Sequence, residues 1–182
     1  MEIREATMED VEFVAWTVLT ALDLDTSGLE KAMASCADAD SLYSWRNALV
    51  AFDDAGRPVG CIVAYAGDDY RRMRDHTWPT LWTDVDPRLL AGTPQEAGPG
   101  EYYLDSMAIL PVARGRGLGK SLMRAAMDRG RKSGYGRFSL IVDVDKPHLR
   151  NYYASVGFRP VGPLRFIAHD FTKMQLEDQP PV

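Results

Sequence analysis

Cysteine is scarce in this chain. Cys36 and Cys61 are its only two, without C-x-x-C spacing, which leaves little from which to build a disulfide framework or a zinc site and points to a reducing compartment. No metal is expected. Positive charge is not in excess either, since 21 Lys and Arg face 26 Asp and Glu for a net charge of −5. An acidic chain repels phosphate backbones, so a mainly nucleic-acid-binding protein is disfavoured. Long apolar runs are missing, and no segment approaches the roughly 20 apolar residues of a membrane-spanning helix. The first residues, MEIREATMEDVEF, have neither the basic start nor the apolar stretch of a signal peptide, and they carry acids that a transit peptide avoids. A cytoplasmic protein is the expectation.

What is present suits one compact domain, 1–182. The chain has 182 residues, 46% of them hydrophobic and 26% charged, and a domain usually takes about 100 to 200 residues. Glu2 to Ala6 reads as a short strand, and Val11, Val14, Ala15, Val18 and Leu22 recur at helical spacing behind Thr7 as N-cap. A second helix is expected over Leu29 to Ala37. A hairpin follows, in which WRNALVAF (Trp45 to Phe52) and VGCIVAY flank the turn DDAGRP. Residues 66–100 lose periodicity after a short helix near Asp69 to Asp75 and hold Pro79, Pro87, Pro94 and Pro99; they read as a long loop, a kind of segment that is often functional.

Order returns with EYYLDSMAIL, a buried strand from Glu101 that stops before Pro111. Leu118, Leu122, Ala125 or Ala126, and Arg129 mark a helix that ends at Gly134. Phe138 to Val144 is a strand, Pro147 starts a helix through Val156 that Gly157 closes, and strands near Arg159 to Val161 and Phe166 to Leu176 finish the chain. Strands alternating with helices, together with the early hairpin, predict an α/β fold with a mixed central β-sheet flanked by helices.

The stretch ARGRGLGKS, Ala113 to Ser121, nearly matches two phosphate-handling motifs. A nucleoside-triphosphate P-loop needs four residues between its first Gly and its Gly-Lys pair, whereas only Arg116, Gly117 and Leu118 separate Gly115 from Gly119. A P-loop also leaves its strand directly, and here Pro111 to Arg114 intervene. The alternative, [QR]-x-x-G-x-[GA], fits at Arg114, Gly117 and Gly119. Its physical logic is a turn whose backbone N–H groups converge at a helix N-terminus, where free donors and the helix dipole attract a pyrophosphate.

The flanks make this turn specific. LDSMAILPVARGRGLGKSL (Leu104 to Leu122), the strand SLIVDVD and the segment NYYASVGF (Asn151 to Phe158) resemble the GNAT superfamily of N-acetyltransferases, over Glu101 to Phe158. The resemblance implies a single-domain GNAT acyltransferase fold that uses acetyl-CoA as acetyl donor, with the coenzyme-binding core in 101–158. It further implies that the pantothenate arm pairs with the backbone of Met107, Ala108 and Ile109, with the Met107 N–H aimed at the thioester carbonyl. The turn from Arg114 through Gly115, Arg116, Gly117, Leu118 and Gly119 to Lys120 would hold the pyrophosphate. Tyr153, in the family's tyrosine position, would lie near the sulfur as an acid for the departing thiolate in a direct, ternary-complex transfer. One position departs from the family pattern: Lys146 stands in VDVDKP where an Asn is frequent, so that coenzyme contact passes to Lys146 or is lost.

A proton acceptor for the attacking amine is open between Asp105 and His169. By the period of two, Asp105 and Glu101 share a strand face with Tyr103 and Met107; His169 is the other attractive titrating group, and an ordinary structural role is weighed for each. His76 and His148 have no assigned partners and are expected to be solvated, and Tyr152 is expected in the core. The acceptor is expected to be a small cationic or aromatic amine entering past residues 66–100, where Trp78 and Trp82 offer an apolar wall and Asp68, Asp69, Asp84 and Asp86 offer negative charge. Two alternatives stand beside this: a non-catalytic acyl-CoA sensor on the same fold, and a nucleic-acid-binding module built on Arg114, Arg116, Arg124, Arg129, Arg131, Lys132 and Arg137. A homodimer is the default assembly.

Overall fold

The computed structural model describes residues 1–83, 85–166 and 169–178. Seven strands, β1 (Glu2–Glu5), β2 (Ala48–Phe52), β3 (Pro58–Ala66), β4 (Tyr102–Ile109), β5 (Arg137–Asp143), β6 (Arg159–Phe166) and β7 (His169–Glu177), form one sheet. Their order is β1-β2-β3-β4-β5-β7-β6, and only β4 and β5 run parallel. Among the described residues six α-helices accompany them: α1 (Val11–Ala21), α2 (Leu29–Ala37), α3 (Tyr70–Leu81), α4 (Pro87–Gly92), α5 (Leu118–Lys132) and α6 (Pro147–Ala154). This is the mixed, helix-flanked α/β sheet that the alternation predicts.

Local chemistry explains the elements. Thr7 and Asp10 form a capping box ahead of α1, with the Asp10 carboxylate accepting from the Thr7 N–H at 2.7 Å. The β2–β3 hairpin turns on Asp53, whose carboxylate accepts from the Ala55 and Arg57 N–H groups. Alternation then sorts β2: Ala48 and Val50 pack with α1 and α2, while Leu49 and Ala51 pack on the α5 side. On that second side Leu118, Leu122, Met123, Ala126 and Met127 form the buried stripe of α5. Burying each of the larger ones stabilises by about 1.5 to 3 kcal/mol.

Residues 66–100 are more ordered than their prolines suggest. Pro79 lies inside the last turn of α3, and Pro87 opens α4 behind Asp86, whose side chain accepts from the Arg88 N–H at 2.8 Å. A proline in the last turn gives up one backbone hydrogen bond without ending a helix already formed, and a proline at the first position gives up none. Smaller differences follow the same logic. Trp45–Asn47 is a 3-10 turn capped by Ser44 and not strand, while β6 runs on to Phe166 as one arm of a hairpin with β7.

Two irregularities of the sheet involve β4. Pairing of β4 with β3 steps from Val63↔Ser106 to Ala64↔Leu104, so Asp105 is the extra residue of a β-bulge. Pairing of β4 with β5 holds at Tyr102↔Phe138 and Tyr103↔Ser139. Beyond those pairs the two strands part.

Candidate active site

The parting of β4 and β5 opens a small recess lined by Ile62, Leu104, Asp105, Ser106, Met107, Met123, Leu140 and Tyr153. Ile62, Leu104, Met123 and Leu140 belong to the α5 side of the sheet, whereas the cluster around Asp105 lies on the α1–α3 side. The lining of the recess therefore draws on residues of both faces of the sheet. The β4 edge from Leu104 to Ile109, freed from pairing with β5, borders it with backbone donors and acceptors. An extended chain can pair with such an edge.

The glycine turn follows β4 after a 3-10 turn at Pro111–Ala113. Gly115 and Gly117 adopt φ of 76° and 77°, the left-handed region that favours glycine, and Gly117 is the N-cap from which α5 starts. Space around Gly117 is open. Gly119 is different, because a Cβ there would run into the Tyr152 hydroxyl; it is glycine at least partly for packing. Arg114 bends back, its Nε donating to the Ile109 carbonyl at 2.9 Å, and Arg116 is exposed while Lys120 is half-buried. The arrangement is a cationic concavity at a helix N-terminus, able to take an anion.

Tyr153 reaches the recess from α6, with Tyr152 beside it at a ring separation of 5.5 Å. Burial, and secondarily Tyr152, push the Tyr153 phenol up to about 12. It therefore keeps its proton throughout the neutral range and can act as a donor.

On the other side of the recess, Asp105 accepts hydrogen bonds from the Tyr65 hydroxyl and from Ser106 Oγ, the latter at 2.8 Å. Burial pushes its carboxyl above the ordinary range, opposed by those two hydrogen bonds. Bonded to the same tyrosine cluster is Glu96, from the segment between α4 and β4. Its carboxylate accepts from Tyr103 at 2.5 Å and Tyr70 at 2.9 Å. Burial first and the charge of Asp105 second push Glu96 up to about 7, while the two hydroxyls and Arg74 pull it down. Tyr65, Tyr70 and Tyr103 are buried and mutually packed, with ring separations of 5.8 to 6.5 Å. Glu96 has no motif around it in the sequence, and only the convergence of β3, α3 and β4 brings these groups together.

Other expectations fare differently. Glu101 does not join Asp105: it is buried, ion-paired with Lys173 at 2.8 Å, and accepts from Ser139 and Gln175, both at 2.8 Å. Met107 does not share the face of Tyr103 either, because the bulge at Asp105 shifts the alternation and places Met107 with Ile109 on the α5 side. Lys146 is ion-paired with Asp23, so a phosphate contact would require it to leave that partner. His169 is exposed at the start of β7, opposite Phe166, and is not among the residues lining the recess. His76 is held by Asp38 at 2.7 Å, while His148 is exposed.

The proposed apolar wall is core structure in the case of Trp78, which is buried edge-on against Phe166 at 5.0 Å. Trp82 is half-buried against the same core. Asp68 accepts from Tyr135, Asp69 lies 3.8 Å from Arg72, and Asp86 caps α4; Asp84 lies outside the described residues. The basic cluster is largely engaged. Arg129 donates to Tyr102 and to the carbonyls of Asn47 and Ala64, Arg131 pairs with Asp128 and Asp178, and Arg137 pairs with Glu177.

A sequence model of the acetyltransferase (GNAT) family matches residues 16–158. Mycothiol acetyltransferase from Beutenbergia cavernae is 35% identical over 103 residues, 52% of this chain and 34% of that protein. Mycothiol acetyltransferase from Rhodococcus jostii is 35% identical over 102 residues, 56% and 30% of the two chains. The chain thus spans about a third of the length of these relatives. Among solved structures, an N-acetyltransferase from Staphylococcus aureus Mu50 superposes with a TM-score of 0.79 at 25% identity, covering 97% of this chain and 100% of that one.

Proposed function

The chain belongs to the acetyltransferase (GNAT) family, whose acetyl donor is acetyl-CoA, and from that premise we propose that it acts in the cytoplasm, moving the acetyl group of acetyl-CoA onto a small primary amine. The observation that carries this is the recess between β4 and β5, where Asp105, Met107 and Tyr153 line one opening on the strand that leads into the glycine turn. In this proposal the pantothenate arm pairs with the free β4 edge at Met107, Ala108 and Ile109. The pyrophosphate rests on the turn from Arg114 to Lys120.

Asp105 takes a proton from the acceptor's ammonium group, and the neutral nitrogen attacks the thioester carbonyl. Negative charge then develops on the carbonyl oxygen, where the Met107 N–H donates to it. As the new C–N bond forms and the C–S bond breaks, the leaving sulfur meets the Tyr153 hydroxyl. A phenol pushed up to about 12 stabilises a thiolate mainly by hydrogen bonding. The second proton of the nitrogen, shed as the amide forms, ends on the sulfur, and Asp105 returns the first to solvent.

The acceptor's class follows from charge: a buried carboxylate framed by tyrosines favours a small cationic or aromatic amine. The relatives' name adds a mycothiol-related amine to the compounds worth testing. Titration calorimetry tests the donor half. Coenzyme A and acetyl-CoA should bind without magnesium and ATP should bind more weakly; tighter, magnesium-dependent ATP binding would overturn the assignment of the turn.

A further inference from the structure

Lys146 has acids beside it in sequence and pairs with neither. Asp143 and Asp145 flank it in the segment that follows β5, where the Asp143 carboxylate accepts from the Asp145 N–H at 2.8 Å. The Lys146 ammonium reaches instead to Asp23, 123 residues away in sequence.

Asp23 is an unusual residue for its place. It stands one position past Leu22, the C-cap of α1. There the Leu24 N–H donates to the Leu19 carbonyl at 2.9 Å and the Asp23 N–H to the Thr20 carbonyl at 3.3 Å, the bonding of a helix end closed by a left-handed residue. Its φ is 55°, and among the described residues it is the one non-glycine with positive φ. Glycine makes that turn without steric penalty. What aspartate adds there is a carboxylate, 70% exposed.

The pair lies at the open end of the fork. β4 and β5 run parallel and pair at Tyr102↔Phe138 and Tyr103↔Ser139, near their starts, so they part toward Ile109 and Asp143. One lip of the opening is the glycine turn beyond β4; the other is the segment 144–146, which leads into α6 and Tyr153. α6 is held against the turn, because the Tyr152 hydroxyl fills the space that a Cβ at Gly119 would need. Val14 and Val18 of α1 pack on the face of Val50, whereas Leu149 and Tyr152 of α6 pack on the face of Leu122. Asp23 and Lys146 thus join the two layers around the open end, opposite the turn that would take a pyrophosphate. An ion pair this open to solvent is weak. A phosphate carries more charge than one exposed carboxylate and competes well for the ammonium.

We propose that Lys146 is exchanged when the coenzyme binds: Asp23 holds it in the free protein, and a phosphate of the coenzyme takes it over. Asp23 is then a positioning residue that sets donor affinity through Lys146 alone. This rests on the glycine turn and the β4 edge being the coenzyme site.

The test is titration calorimetry of coenzyme A into the whole chain as wild type, Asp23→Asn, Lys146→Met and the double variant. Asn tolerates the left-handed conformation, so the end of α1 keeps its shape; Asp23→Gly, the residue best suited to it, repeats the measurement should Asp23→Asn not fold. Asp23→Asn should tighten coenzyme binding by about two- to five-fold, the scale of an exposed ion pair, because Lys146 no longer has a partner to leave. Lys146→Met should weaken binding by at least that factor. In the double variant the Asp23 effect should vanish, so that it binds as Lys146→Met does. Unchanged or weaker binding by Asp23→Asn overturns the proposal, as does wild-type affinity in Lys146→Met. A gain from Asp23→Asn that persists without Lys146 overturns it too, since that is the general effect of removing a negative charge. Failure of the wild type to bind coenzyme A at all is a separate result, which removes the coenzyme site itself and the exchange with it.

Discussion

In the proposed transfer, Tyr153 and Asp105 need opposite things from the same recess, one keeping its proton near the sulfur and the other gaining one from the amine. Tyr153→Phe retains the ring that packs against Tyr152 and Phe158 but loses the donor. Turnover should fall by about 10²-fold, the usual scale for an acid–base group, with coenzyme affinity nearly unchanged by calorimetry; unaltered turnover would remove Tyr153 from the mechanism. For the base, the acidic limb of the pH–rate profile should disappear in Asp105→Asn and survive in His169→Gln, and the reverse pattern would assign the histidine. Glu96 adds a stability prediction. Its folded value of about 7 lies above the ordinary 4.5, so the folded state binds that proton more tightly. This contribution is full below about pH 4.5 and is lost as the pH rises through 7. Thermal melts at pH 5.5 and 8 should show that loss in wild type and a smaller one in Glu96→Gln; equal losses would contradict it. Asp105 was legible in the sequence as an acid on the key strand. Its bulge was not, because an extra residue in a ladder leaves no mark in apolar alternation.

At the scale of elements, the turn and the sheet fork make separable predictions. Gly117 sits in the left-handed region with open space around it, and Asp is among the side chains that tolerate that conformation. Gly117→Asp should therefore fold, melt within a few degrees of wild type, and lose coenzyme binding because a carboxylate enters an anion site. Gly119 is a poorer test, since any side chain there displaces Tyr152. The fork is pinned by Glu101, which joins β4 to Ser139 of β5 and to Lys173 and Gln175 of β7. Glu101→Gln would leave Lys173 without its carboxylate at a cost of about 3 kcal/mol, seen as a lowered denaturation midpoint. The strand–turn–helix run from β4 to α5 could be read in advance because its glycines, Pro111 and apolar stripe all agree. Residues 66–100 could not, since prolines at the last turn of one helix and the first of another look the same in sequence as prolines that forbid a helix. Glu96 lay hidden in that segment for the same reason.

For the whole molecule, the order of strands and helices outside residues 66–100 was legible through periodicity, and the family through the segment around the turn. What no single segment carried was the convergence of Tyr43, Tyr65, Tyr70, Tyr103, Glu96 and Asp105, which depends on how α3 and the sheet meet. The described residues hold no helix long and apolar enough to cross a membrane and no cluster of metal-ligating side chains. The most direct measurement is free-thiol release from acetyl-CoA in the presence of pooled small amines, with mass spectrometry of the products. The account predicts thiol release that depends on an amine, matched by an N-acetylated product and absent in Gly117→Asp. Acetyl-CoA that binds tightly yet releases no thiol with any amine would contradict it and make the protein an acyl-CoA sensor.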